Sequence, residues 1–423
     1  MSQCNTTSTL DGLFKQVYGE GPVNVLPDVA YLQKRVKFKE SEKIGKQYAF
    51  PVILSQEQGV TYLASGAGVS TLESSVAAVL KEAQVDAHQI IVRGQMDYEA
   101  AAKAQSSKAA FKNASELLVE NLMDTAGKRQ EIAMLYGRSA TGIGTADSSS
   151  NVNTTSTTVT MLASGWAPGI WSGLEGASIN FYKVSDDSLV SSGSDAVFTV
   201  GTIDFVNKTF VATGTTTGIS ALDTALGAGD CYIHFKNAKS AEPIGLDKIT
   251  LNSGTLFNID AGTYAMWSGN TYSAGSAALT VAKILNALKY SVGKGGLMEE
   301  ADVLISPATF LNVSSTMTDL RRQSGKDKEG IAGFETITIL GPNGKLNIVP
   351  HPMVKEGEGF VVPFKRIKRV GSQDFSFQTP GRKGEMFLHV ADANAYELRL
   401  YAAQQIVCEK PAQLTKITNI TNS

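Results

Sequence analysis

Four histidines, His88, His234, His351 and His389, are the side chains here best suited to move a proton or hold a metal near neutral pH. None stands four residues from another with a glutamate between them on a helix, so the zinc-hydrolase spacing is missing. His88 and His351 read as turn or surface residues. The three cysteines, Cys4, Cys231 and Cys408, fit neither a disulfide framework nor a zinc motif and read as reduced thiols. No G-x-S-x-G elbow and no G-x-x-x-x-G-K-[ST] phosphate loop occurs. Gly66-Ala67-Gly68 and Gly293-Lys294-Gly295-Gly296 do not complete a dinucleotide fingerprint and read as turns. The acidic pairs Asp186-Asp187 and Glu299-Glu300 read as solvated turns, because acid–base work would need them in a concave site. The expectation is a protein that is not an enzyme, with no catalytic residue, metal or cofactor.

One charged cluster remains. Lys365, Arg366, Lys368 and Arg369 make the densest basic run, KRIKR. On a strand, Lys365 and Arg369 would face one side and Arg366 and Lys368 the other. Charge on both faces fits a solvated strand, ion pairs to a neighbouring subunit, or contact with DNA phosphates. The formal net charge of −2 argues against a dedicated nucleic-acid binder, which would carry a basic excess, but leaves room for contact through local patches. Charged residues make up 18% of the chain, below the usual quarter, and Gly, Ser and Thr fill the gap. Such a surface suits a protein largely covered by partners. It would also suit an extracellular β-rich adhesin, but the N-terminus lacks a basic and apolar signal pattern. No stretch approaches the ~18 apolar residues of a membrane span. A soluble protein made in the cytoplasm, with no membrane partner, is expected.

The elements that would position any surface follow from periodicity. Residues 1–30 are a polar arm interrupted by Pro22 and Pro27. Residues 31–70 read as a long ribbon: Val36 and Phe38, then Tyr48, Phe50 and Val52, alternate around a charged tip, ESEKIGK. The ribbon has too few apolar residues to bury both faces on its own domain, and isolated two-stranded hairpins are marginal in water. Residues 71–82 read as a short amphipathic helix and 89–94 as a strand. The strongest helical signal is 107–136, with Phe111, Ala114, Leu118 and Leu122 on one face and Gly137 as a stop. Residues 138–158 read as a flexible Ser/Thr/Gly/Asn connector. Residues 175–240 read as a β-rich inserted unit. A helix is expected over 277–292, then a strand running into a helix at 303–322 with Ser306 as N-cap and Pro307 at N1. A hairpin over 335–350 would turn at Asn343-Gly344. The chain is α+β.

The order of these features, with EIAMLYG (131–137), TGIGT (141–145), DVLISPATFLNVSS (302–315) and VCEKPAQLTKITNI (407–420), resembles the major capsid protein of tailed bacteriophages, the Hong-Kong-97-type fold. The resemblance covers nearly the whole chain outside 175–240. It implies an N-terminal arm (1–30), an extended loop, or E-loop (31–70), a peripheral domain (71–174) with a spine helix at 107–136, and a β-rich insertion (175–240). A mainly axial domain (241–345) and a terminal region (346–423) of axial-domain end and peripheral strands complete it. It implies a virion protein that forms hexamers and pentamers in an icosahedral shell around double-stranded DNA. Its other partners would be a separate scaffolding protein, a portal and a decoration protein. The E-loop residues facing a neighbouring copy would be Phe38, Lys39, Lys43, Lys46, Tyr48 and Phe50. An encapsulin-type nanocompartment shell is the alternative with the same fold.

Overall fold

The structure, a computed structural model, describes residues 30–43, 47–99, 114–251, 253–321, 337–377, 387–390 and 393–422. The proposed arm up to residue 29, the ribbon residue Lys46 and the first turns of the expected spine helix lie outside these residues. Three sheets are arranged around one long helix.

The first sheet is built on the strand Ala395–Cys408. His88–Asp97 pairs with it antiparallel over its whole length on one side, and Ile367–Ser376 and Phe387–His389 pair on the other. Phe38–Lys43 adds parallel to Ile367–Ser376, with Phe38 opposite Arg369. The helix Ala114–Tyr136, about 35 Å long at 1.5 Å per residue, lies on this sheet. Gly94 makes the approach possible, since a Cβ there would stand 2.8 Å from a methyl of Leu118. Ile132 to Tyr136 are buried on every side, so the helix is amphipathic early and fully enclosed at its end. It stops at Gly137 as expected. A side chain at Gly137 would meet the Pro243 carbonyl oxygen at 1.9 Å, so the chain leaves the helix through a gap that admits only glycine.

The second sheet has six antiparallel strands in the order Cys231–Phe235, Ser178–Lys183, Phe198–Asp204, Thr209–Thr213, Ser156–Met161, Gly144–Ser150. Its two ends meet where the Ile143 amide donates to Ile233 O at 2.8 Å, which rolls the sheet into a barrel. This corrects one expectation and refines another. The connector at 138–158 is two strands of this barrel, not a flexible loop. Their Ser and Thr side chains hide the period of two, which is carried inward by Ala146, Val159 and Met161. The unit is also not purely β. Helix Thr216–Ala228 packs Ile219, Leu222, Ala225 and Leu226 into the core, with the Thr215 hydroxyl accepting from the Gly218 amide at 3.1 Å.

The third sheet is mixed, in the order Asn270–Ala277, Thr415–Ile420, Gly359–Val362, Ala301–Ile305, Gly344–Pro350, Ile337–Gly341. Helices Val281–Gly293 and Pro307–Arg321 accompany it, and its own core includes Ile284, Leu288, Val303, Ile305, Val313, Leu346, Ile348 and Ile417. Ser306 caps the second of these helices by accepting from the Thr309 amide at 3.2 Å. The hairpin turn is Pro342-Asn343 rather than Asn343-Gly344, because Gly341 pairs with Gly344. Proline supplies the fixed φ of the first turn position, a signal at least as strong as Asn-Gly.

Candidate assembly surfaces

The ribbon exists, but one element later than its sequence pattern suggested. Tyr48–Ser55 pairs antiparallel with Val79–Val85, not with the strand before it. Residues 71–82 are therefore not a helix: the alternation Val79, Lys81, Ala83, Val85 outcompetes the weak three-and-four spacing. The ESEKIGK run is likewise not the tip, since Phe38–Lys43 belongs to the first sheet. The tip is the stretch 56–78. It holds itself together by reciprocal Gln58–Val76 backbone bonds of 2.9 and 3.0 Å and by a Glu73 amide donating to Thr61 Oγ1 at 2.9 Å.

The two faces of the hairpin differ. The inner face carries Tyr48, Phe50, Val52 and Leu54 opposite Ala83 and Val85. Phe50 lies 6.2 Å from Trp267 between ring centroids, and the Gln84 amide donates to Phe257 O at 3.0 Å. The root is thus seated on its own chain. Beyond it the apolar residues have no cover: Ile53 and its cross-strand partner Leu80 are exposed, and Val60, Tyr62, Val69 and Leu72 are 62%, 91%, 109% and 73% exposed. Clusters of exposed apolar side chains of this kind mark interaction sites. The expected ribbon, 31–70, took in 56–70 but not 71–78, and none of the tip's apolar residues was singled out as a contact because they follow no period. Their density in an otherwise polar stretch was the available signal.

The residues proposed for the E-loop are divided by this geometry. Tyr48 and Phe50 face their own chain. Phe38 lies in the first sheet under the Arg369 guanidinium, 5.8 Å from ring centroid to Cζ. Lys39 is exposed, the backbone of Lys43 pairs with Gly371, and Lys46 lies outside the described residues. The basic run is mostly occupied within the chain. Arg366 pairs with Glu299, Lys368 with Glu409 at 2.5 Å, and Arg369, nearly buried, with Asp374 at 2.8 Å. Arg366 and Lys365 sit in a short 3-10 turn before the strand, so the run does not alternate simply across two faces. Lys365 is exposed.

The histidines do not converge. His389 is exposed beside the Tyr98 hydroxyl at 2.8 Å, and His88 is half-buried with Nδ1 3.3 Å from Arg138 Nη2. Burial, and after it the neighbouring lysines, lowers His234 to about 4, so it is neutral in the barrel wall. His351 is not a surface residue. It is fully buried, where its Nδ1 accepts from the Met353 amide at 3.2 Å and its Nε2 stands 3.0 Å from Glu131 Oε1. The accepting Nδ1 leaves Nε2 as the donor to Glu131.

A buried polar junction joins the end of the long helix and the chain entering the barrel to the third sheet. Lys355 Nζ donates to Thr141 Oγ1 and Gly142 O, both at 2.9 Å, and its backbone amide donates to Tyr136 OH at 2.9 Å. Burial lowers the Lys355 pKa and raises that of Tyr136. Burial would also lower Lys416, but Glu358 and Asp247 outweigh it and keep its ammonium charged. Lys416 pairs with Asp247 and with Glu358 at 2.9 Å. Lys416, Asp247 and Glu358 form one ion-paired group, and Lys355 is held by the Thr141 hydroxyl and the Gly142 carbonyl. Among the described residues no group of three His, Cys, Asp or Glu side chains could hold a metal, and no helix is long and apolar enough to cross a membrane.

No protein-family profile and no curated protein sequence matches the chain. Solved structures do. The capsid asymmetric unit of cyanophage A-1(L) superposes with a TM-score of 0.58 at 11% identity, over 99% of this chain and all of that one. The capsid of a native GTA particle superposes with a TM-score of 0.50 at 10% identity, over 99% and 100% of the two chains. The holo-SrpI encapsulin complex of Synechococcus elongatus PCC 7942 matches at 0.48 and 9% identity, over 99% and 96%. The fold is the Hong-Kong-97-type fold of phage capsid proteins.

Proposed function

We propose that this chain is the major capsid protein of a tailed bacteriophage, a structural subunit without enzymatic activity that assembles into hexamers and pentamers closing an icosahedral shell. The observation that carries this reading is the hairpin 48–85: its root is packed on its own chain and the stretch 56–78 beyond it presents uncovered apolar residues. A monomer gains nothing from such an arm. A subunit that lays it on a neighbour buries those residues and adds backbone pairing across the contact. The contact is heterologous, the kind that forms rings where the rotation between copies closes. The likeness in fold to phage capsid proteins over the full chain supports the same reading. The shell would be the location of the protein in the virion, and packaged double-stranded DNA its contents, held without sequence specificity. Lys365 is the member of the basic run best placed for a phosphate contact. A scaffolding protein, a portal and a decoration protein complete the partners of this proposal.

Deleting 56–78 and joining the strands by a two-residue turn tests it. The truncated subunit is expected to fold and to form no closed shells under conditions where the full chain does. Normal shells from the truncated chain would refute the role of the hairpin.

A further inference from the structure

Residues 31–35, YLQKR, form a single-turn helix that joins two carboxylates from distant parts of the fold. Glu131 comes from the long helix and Asp302 from the third sheet; both are fully buried. On Glu131 the donors are the Leu32 amide at 2.6 Å, the Gln33 amide at 3.2 Å and His351 Nε2 at 3.0 Å. On Asp302 they are Tyr31 OH at 2.7 Å, Arg35 Nη2 at 2.6 Å and Asn347 Nδ2 at 2.9 Å. Four of these six donors belong to residues 31–35. We propose that this segment is a strap that locks the long helix to the third sheet, closing and opening as one unit on Glu131 and Asp302.

Three observations support a single unit. A helix this short has no stability of its own, since nucleation alone is unfavourable. It has no side-chain N-cap, and Glu131, about a hundred residues away, satisfies its first amides instead. Its apolar residues Tyr31 and Leu32, with Val36 after it, are buried in the main core, where the Tyr31 ring meets His351 edge-on at 6.3 Å. Release of either end would leave its carboxylate buried with a single donor, which is strongly unfavourable. The two ends are coupled because all four strap donors lie on one five-residue turn, so displacing that turn from one carboxylate draws it from the other. The strap joins two elements far apart in the chain, so its release frees the long helix from the third sheet at this point. The inference does not depend on the shell reading.

The test is amide hydrogen exchange on the unassembled full-length subunit, comparing the natural chain with Asp302→Asn. The Leu32 and Gln33 amides do not touch Asp302. In a one-unit strap they exchange at least tenfold faster in the variant, while amides of Gly359–Val362 and Ala395–Cys408 are unchanged. Unchanged exchange at Leu32 and Gln33 would overturn the proposal, because the two ends would then be independent. Should Asp302→Asn not fold, Tyr31→Phe removes one hydroxyl at constant shape. It must speed the same two amides, and the proposal fails if it does not. Shell formation is read separately, so failure of the capsid reading and failure of the strap are distinguishable.

Discussion

Replacing Val60, Tyr62, Val69 and Leu72 together by serine separates a contact made between subunits from packing within one. All four are more than half exposed in the single chain. Complete burial of a side chain of this size is worth about 1.5–3 kcal/mol. Association recovers only part of that, because ordering the arm and desolvating its polar neighbours oppose it. About 1 kcal/mol for each residue gives about 4 kcal/mol per contact, roughly a thousandfold in its dissociation constant. The isolated subunit loses no packed neighbour, so its melting temperature should stay within about 1 °C of the natural value. Light scattering and negative-stain microscopy across a concentration series give the assembly threshold, and calorimetry on unassembled subunits gives the melting temperature. The expected result is an assembly threshold raised by orders of magnitude with unaltered subunit stability. Shells at the original concentration would refute the reasoning, and so would a large drop in melting temperature, which would place these residues in the subunit's own core.

Two further outcomes follow from the interior. Burial pushes the Glu242 carboxyl up from 4.5 to about 7, with the Arg129 guanidinium opposing the shift. The folded chain therefore holds a proton that the unfolded chain releases, and this contribution is lost as pH rises through about 4.5 to 7. Glu242→Gln should make the protein more stable than the natural chain at pH 8 by about 3 kcal/mol at most, and about equal to it near pH 4, as read from urea unfolding. Equal stability at pH 8 would contradict the burial argument. Gly137→Ala forces a Cβ to within 1.9 Å of the Pro243 carbonyl. The backbone on both sides must move, so a loss of about 3 kcal/mol or outright misfolding is expected, and a variant with natural stability would show that the helix end is not so tightly enclosed.

The elements legible in the sequence are those whose side chains announce their surroundings. The last turns of the long helix carry an unbroken apolar face and end in a glycine. Helix Pro307–Arg321 carries Ser306 and Pro307 at its start, and the hairpin around 342 carries its own turn chemistry. The barrel strands Gly144–Ser150 and Ser156–Met161 were hidden because serine and threonine serve equally well in loops and on exposed strand faces. The pairing of Tyr48–Ser55 was hidden for a different reason. Two segments could supply a partner, and register is decided by contacts to Trp267 and Phe257, more than 170 residues away. The same distance concealed His351, whose burial depends on Glu131 and not on its neighbours in the chain. A ribbon seeking a neighbour was legible from its shortage of apolar residues, while the residues left uncovered at its tip followed only from the pairing with Val79–Val85.

The most direct measurement is cryo-electron microscopy of the particles formed when the chain is expressed with and without its neighbouring genes. The account predicts closed shells built of fives and sixes, with residues 56–78 of each subunit lying over an adjacent copy and the root at Phe50 still seated on Trp267. A small oligomer of fixed size under both conditions, or a hairpin folded back over its own subunit, would contradict it.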